Sequence, residues 1–221
     1  MCGIIAVVRR PSTRETPTAA AVIDLVADQA VRLAPGTPDL SDALADVGRR
    51  LAEADALLRG VPGLRLMLAD AGLGPALTHH CDEILAAVVA EEERLERDGG
   101  LATAEVERRN QSFIAIRDGV WAITRDRLRA AQVVADLSGG ARTTGALEAF
   151  LSVHQALSAI DRLEVRGRDS AGLHVLVHDH ALDLNDPVIA AEIERRSSDP
   201  NFGTGSVRLV DGVLSIVHLL I

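Results

Sequence analysis

Apolar positions recur along this chain with more than one period, and the changes of period divide it. Residues 1–8, MCGIIAVV, form a short apolar run that reads as a buried strand. Arg9, Arg10, Pro11 and Ser12 follow as a loop. Thr16-Pro17 predicts a helix start, with Thr16 as N-cap and proline in the first helical position. Val22, Val26, Ala30 and Leu33 give that helix one apolar face, and Pro35-Gly36 ends it. Leu40, Leu44, Val47, Leu51, Ala54 and Leu58 then alternate steps of four and three, the seam of an amphipathic helix. Asp39 caps its start, and Gly60 with Pro62 closes it. A third helix begins after Gly74-Pro75, with Leu77, Cys81, Ile84, Val88 and Leu95 on its face and Gly99-Gly100 as its stop. A longer stripe runs through Phe113, Ile116, Val120, Ile123, Ala130, Val134 and Leu137, interrupted at Arg127 and ended by Ser138, Gly139 and Gly140. Residues 16–138 therefore read as an antiparallel helical bundle with short connections.

After Gly140 the pattern changes. One more helix is expected from Thr144 to Leu163, with Ala146, Phe150, Val153, Leu157 and Ile160 on a face. The stretch RGRDSAG is too rich in glycine and polar residues to extend it. Leu173–Val177 reads as a strand, and Asp186-Pro187 opens a short helix ending near Arg196. Ser206–Val210 and Val213–Leu219 flank Asp211-Gly212, a strong signal for a tight hairpin. The last seven residues, SIVHLLI, are an apolar strand with nothing polar after it, so the chain is expected to continue beyond Ile221 in a parent protein.

Composition narrows the function classes. The chain has 221 residues, 48% of them apolar, with a net charge of −9. That supports a sizeable core and excludes disorder. No apolar run approaches the ~20 residues of a membrane span, and no basic n-region marks a signal peptide. An acidic chain with only four aromatic residues, Phe113, Trp121, Phe150 and Phe202, is a poor partner for nucleic acid. All 23 basic residues are arginine, so neither a Schiff-base lysine nor a phosphate-loop lysine exists. Two cysteines, Cys2 and Cys81, make no disulfide scaffold and suit a reducing, cytoplasmic setting.

Cys2 is the sharpest chemical feature. Methionine before a small residue is normally removed, which leaves Cys2 with both a thiol and a free α-amino group. Their unperturbed pKa values, ~8.5 and ~7.7–8.0, let the amine act as base for its own thiol. Gly3 lets a substrate carbonyl approach the backbone closely. The plainer reading is an ordinary buried cysteine near a terminus.

A second motif, Arg162–Gly172, reads RLEVRGRDSAG. Together with MCGI it resembles the class II glutamine amidotransferases, which are N-terminal nucleophile hydrolases. The likeness is closest to the glutamine–fructose-6-phosphate aminotransferases, which open with MCGI and carry RLEYRGYDSAG at a helix end. Val165 and Arg168 replace the two tyrosines of that pattern. The amidophosphoribosyltransferases carry RGQDAAG, and Ser170 favours the sugar enzymes. The resemblance covers residues 1–10 and 144–220, and implies that residues 11–143 are a helical insertion at the first strand–helix connection. Loop closure costs grow slowly enough with length to tolerate it.

The resemblance implies an α+β chain: part of the four-layer αββα N-terminal nucleophile fold, residues 1–10 and 144–221, plus an inserted antiparallel helical bundle, 11–143. It implies that Cys2 attacks glutamine and that ammonia passes to fructose 6-phosphate, with no cofactor, no metal and a homo-oligomer in the complete enzyme. Arg166, Gly167, Asp169, Ser170 and Gly172 would brace the loop around the nucleophile, Arg166 and Asp169 through charge-assisted bonds; a surface Arg–Asp pair is the simpler alternative. The family's GHTRWATHG segment, its Asn-Gly oxyanion pair, a later aspartate and the sugar isomerase domain are absent from these 221 residues. The chain by itself is therefore expected to be inactive. Rival readings are a non-catalytic remnant, a helical interaction module, or another class II amidotransferase such as the purine enzyme.

Weaker candidates have simpler explanations. His79, His80, Cys81, Asp82 and Glu83 point in different directions on a helix, only His79 and Glu83 sharing a face, so a core cysteine and solvated histidines are expected. His174, His178 and His180 would share one face of a strand but lack matching carboxylates. Glu91–Glu93 reads as a solvated helix face.

Overall fold

The helices follow the apolar seams, but several begin and end where capping chemistry dictates. The computed structural model describes residues 4–98, 100–163 and 171–220. Helix α1 is Ala19–Val26, capped by Thr18, whose hydroxyl accepts from the Ala21 N–H at 3.1 Å. Thr16 was the expected cap; Thr18 holds the position because its side chain reaches an N–H three residues on. The helix does not continue to Leu33. Asp28 takes a left-handed conformation (φ 56°), and a four-residue turn, α2 (Gln29–Arg32), follows.

Helix α3 spans Leu40–Leu58 and buries Leu44, Val47, Leu51, Ala54 and Leu58. Asp39 stands at its N-cap, but only its carbonyl serves, accepting from Asp42 and Ala43 N–H groups. Gly60 and Pro62 do not end the helical region: they open α4 (Gly60–Ala69). Proline is tolerated in a first turn, where its missing N–H would have no helical partner. Helix α5 is Leu73–Asp98 and α6 is Thr103–Trp121. A π-helical segment, Ala122–Leu128, joins α6 to α7, Arg129–Leu137, without a break. Its wider turn puts Ala131 rather than Ala130 on the buried seam, while Val134 stays on it as expected. Ala131 and Val134 are buried, whereas Leu137, expected on the stripe, is 40% exposed.

Contacts give the helix directions. Ser41 meets Glu105 and Arg109, Gly48 meets Ala115, Leu51 meets Gly119, and Asp55 meets Arg127. Both numbers rise together, so α3 and α6 run parallel. Glycine makes their close approach possible: a Cβ on Gly119 would lie 2.7 Å from Leu51 Cβ. Gly74 lies near Leu128 while Glu91 and Glu92 meet Arg109 and Arg117, so α5 runs antiparallel to α6. The expected antiparallel bundle is thus a mixed one, with a close glycine-lined contact between the parallel pair α3 and α6. The main core joins α1, α3, α5, α6 and the π-helical segment. A second cluster packs Val61, Leu64, Ala131 and Val134 against Leu147 and Leu151 of α8 (Thr144–Leu163).

The chain divides into two compact units, Arg9–Leu151 and Met1–Val8 with Ser152–Ile221, the division falling inside α8. The second unit contains β1 (Ala171–Val177), α9 (Pro187–Ser197), β2 (Val207–Val210) and β3 (Val213–Leu220). Asp186 caps α9 by accepting from Val188 and Ile189 N–H groups, with Pro187 following. The strands form an antiparallel sheet in the order β1-β3-β2. Val210 pairs with Val213 across Asp211-Gly212, both at positive φ (50° and 77°), as a two-residue hairpin requires. The protein is therefore a mixed α+β chain dominated by helix. No helix among the described residues is long and apolar enough to cross a membrane.

Residues 4–8 are not the buried strand their composition predicts. They form no regular element, with Ile4 95% and Val8 91% exposed. Apolar, β-branched residues favour a strand, but a strand needs a ladder partner, and the described sheet pairs only β1, β3 and β2.

Candidate functional site

Most of the residues singled out for chemistry fall outside the described ones. Cys2, Arg166, Gly167, Asp169 and Ser170 are all in that group. The elements flanking the second motif are described: α8 closes at Leu163, and β1 opens at Ala171. Gly172 lies in β1, paired with Leu219 of β3.

The sheet brings together a set of polar side chains that sequence reading did not assemble. In an antiparallel ladder, paired residues share a face and alternate residues along a strand return to it. Ser215 pairs with Leu176 on one side and Arg208 on the other, and His174 pairs with Val217. His174, Leu176, Ser215 and Arg208 therefore share one face. His174 Nε2 lies 2.9 Å from Ser215 Oγ. Ser215 is buried, while His174 is exposed. Arg208 makes no hydrogen bond or ion pair with a described residue, and its Nε is buried. The opposite face carries Leu173, Val175, Val177, Leu214, Ile216 and Val207, all half-buried. Alternation along SVRLV and VLSIV was the available signal: one serine and one arginine at registers that only the hairpin pairing brings together. His178 and His180 lie past the end of β1, so strand alternation does not align them with His174.

The helical unit uses its charges differently. Asp55, buried on the α3 seam, accepts from Arg127 Nε at 2.7 Å and Arg59 Nε at 2.8 Å. Arg127, the interruption of the long stripe, is thus the partner of a buried carboxylate. Glu91 is not solvated as expected. It is 3% exposed and ion-paired with Arg109 at 3.0 Å and with Arg94, because α6 lays Arg109 across it. Arg109 also reaches Ser41 at 3.1 Å and Glu105 at 3.3 Å. The Ser41 hydroxyl, then Arg109 and Arg108, hold the Glu105 carboxyl below its ordinary range. These arginines are committed to carboxylates within the fold, which makes them cross-links between helices.

Comparison with known protein families, with curated proteins and with solved structures finds no match in any of the three. The side chains alone must carry the functional reading. Cys81 is buried in the core, where desolvation, helped by the negative charge of Asp82, pushes its thiol up to about 12. A thiol so protonated is neither a nucleophile nor a metal ligand at neutral pH. His79 and His80 lie 3.5 Å and 3.2 Å from Glu83, an exposed surface cluster. Among the described residues no group of three or more His, Cys, Asp or Glu is placed to hold a metal ion.

Proposed function

We propose that the chain is the N-terminal part of a class II glutamine amidotransferase, an N-terminal nucleophile hydrolase that makes glucosamine 6-phosphate from fructose 6-phosphate and glutamine. One observation carries the reading. RLEVRGRDSAG occupies the junction between a helix ending at Leu163 and a strand starting at Ala171, the succession that its resemblance to the sugar aminotransferases implies. The MCGI opening supplies the nucleophile. The Cys2 thiol passes its proton to the α-amino group as its sulfur attacks the glutamine side-chain carbonyl. The C–N bond breaks and that proton leaves with ammonia. Water then cleaves the thioester, releasing glutamate and restoring the thiol. Arg166 and Asp169 brace the loop around the nucleophile.

A second reading, a helical interaction module that keeps amidotransferase ends without their chemistry, draws on the exposed residues 4–8. The helical unit has its own core, and its buried carboxylates Glu91 and Asp55 are paired with arginines within it.

The N-terminus tests the two. Mass spectrometry of the expressed chain is expected to show Met1 removed. Because Cys81 is buried and its thiol protonated, a disulfide reagent at pH 8 should titrate one thiol in the native chain, and none in Cys2→Ala. In a longer parent chain carrying the glutamine-binding segment, a glutamine-like diazoketone should alkylate Cys2, and L-glutamine should slow it while L-asparagine does not. Retained Met1, or alkylation of that parent chain indifferent to glutamine, would rule out the amidotransferase and leave the interaction module.

A further inference from the structure

We propose that the His174 face of the three-stranded sheet binds a small oxyanion, a carboxylate or a phosphate, held by Arg208 and by the hydroxyl of Ser215, which His174 orients. The register alone places the three residues together. Arg208 on β2 and Leu176 on β1 pair with Ser215 from opposite sides, and His174 is two residues further along β1, on the same face. Neighbouring strands lie about 4.7–4.9 Å apart, so the two outer strands flank Ser215 at roughly twice that spacing. An arginine side chain on β2 can lean across one strand spacing toward the Ser215 hydroxyl and leave room for a small anion between them.

The state of each group points to an anion. Arg208 Nε is buried, which pins the stem, and the guanidinium has no carboxylate or carbonyl partner among the described residues. The other arginines of this unit with described ion pairs, Arg195 and Arg196, both hold Glu192. In a chain of net charge −9, a pinned arginine without an acid among the described residues is conspicuous. Its Nη groups form a planar fork matched to two oxygens of one anion. Ser215 is buried with its Oγ 2.9 Å from His174 Nε2. When Nε2 carries its hydrogen it donates to Oγ, and the serine hydroxyl hydrogen is then free to donate to the anion. His174 itself is exposed, so the face stays open to solvent on the β1 side. The site makes no use of Cys2 and stands whether or not the amidotransferase reading holds.

Inorganic phosphate and acetate, titrated separately into the 221-residue chain at constant ionic strength made up with chloride, test this by amide NMR. Saturable shifts are expected at Arg208, Ser215 and His174, and the tighter of the two ligands identifies the class of anion. Arg208→Gln should weaken binding about tenfold or more, the loss of a charge-assisted hydrogen-bonded pair. Arg195→Gln, which removes an exposed arginine already held by Glu192, should leave binding unchanged. Preserved β1–β3 amide shifts show that Arg208→Gln is folded; should it not fold, Ser215→Ala takes its place with an expected several-fold loss. Non-saturating shifts, or binding equal in wild type and the folded variant, would overturn the proposal.

Discussion

Replacing Gly119 by alanine isolates the cost of the close contact between α3 and α6. The new Cβ would lie 2.7 Å from Leu51 Cβ, 3.5 Å from Leu51 Cδ1 and 3.7 Å from the Leu51 carbonyl carbon. Non-bonded carbons rest at about 3.5–4.0 Å, so roughly 1 Å must be found. Leu51 Cβ is fixed to its backbone, and no change of rotamer removes it. One helix must therefore shift against the other. Overpacking costs about 1–3 kcal/mol, and alanine's advantage over glycine in a helix returns about 0.8–1.0 kcal/mol. Relief here moves a whole helix, so the upper end applies, and the expected net loss is about 2 kcal/mol.

Two other glycines of the same unit calibrate that figure. A Cβ on Gly48 would lie 3.3 Å from Ala115 Cβ, a contact that a few tenths of an ångström relieves, so Gly48→Ala should be near neutral. Gly145, in the first turn of α8, has nothing within 4 Å, and Gly145→Ala should gain up to about 0.5–1 kcal/mol. Urea unfolding followed by tryptophan fluorescence reads the unit directly, because Trp121, the only tryptophan, lies two residues from Gly119. In thermal melts about 2–4 °C per kcal/mol is expected for a unit of this size. Leu51→Ala should not rescue Gly119→Ala, since alanine keeps the offending Cβ. Stability of Gly119→Ala within about 0.5 kcal/mol of wild type, or rescue by Leu51→Ala, would refute the assignment of a Cβ–Cβ clash across a parallel helix pair.

Asp55→Ala leaves Arg127 and Arg59 without their shared carboxylate; both guanidiniums reach solvent, so the expected cost in urea unfolding is that of the lost charged hydrogen bonds, about 1.5–3 kcal/mol. Arg127→Ala should cost less, because Arg59 still holds Asp55, and the double variant should fall short of the sum of the two; strict additivity would mean that the residues act independently. Hydrogen bonds from Arg195, then Arg196, hold the Glu192 carboxyl down at about 2. A folded value below the ordinary one stabilises α9 above about pH 4.3 and loses that contribution as pH falls toward 2. Carboxyl NMR titration should place the midpoint near 2, and Arg195→Gln should move it up; an ordinary midpoint in the wild type would show that the fork does not form in solution.

Periodicity made most of the helical unit legible, and its failures have physical causes. The seam of α3 and the face of α5 are buried as their spacing predicts, because a stripe at helical period has one low-energy way to leave water. Ala131 takes the place of Ala130 on the seam because a π-helical turn adds about one residue that no apolar pattern announces. Asp55 and Arg127 were each visible as a charge beside or upon an apolar stripe. Two such interruptions on separate helices are a pairing signal, since burying either alone is costly. Glu91 was misplaced because a run of three acids looks solvated until a second helix supplies Arg109. In the sheet unit the Asp-Gly turn set the register of β2 on β3 locally, and β1 added the third strand. Ile4–Val8 marks a definite boundary: it has strand composition and forms no strand. Composition fixes which backbone state a segment prefers, whereas pairing depends on a distant edge, and no local pattern encodes the distance. Motif residues pose the same difficulty in sharper form. RGRDSAG is recognisable because its spelling is local, but what Arg166 and Asp169 hold is a question of which groups the fold carries to them. That is why the N-terminal processing of Cys2 decides more about function than any further reading of the motif.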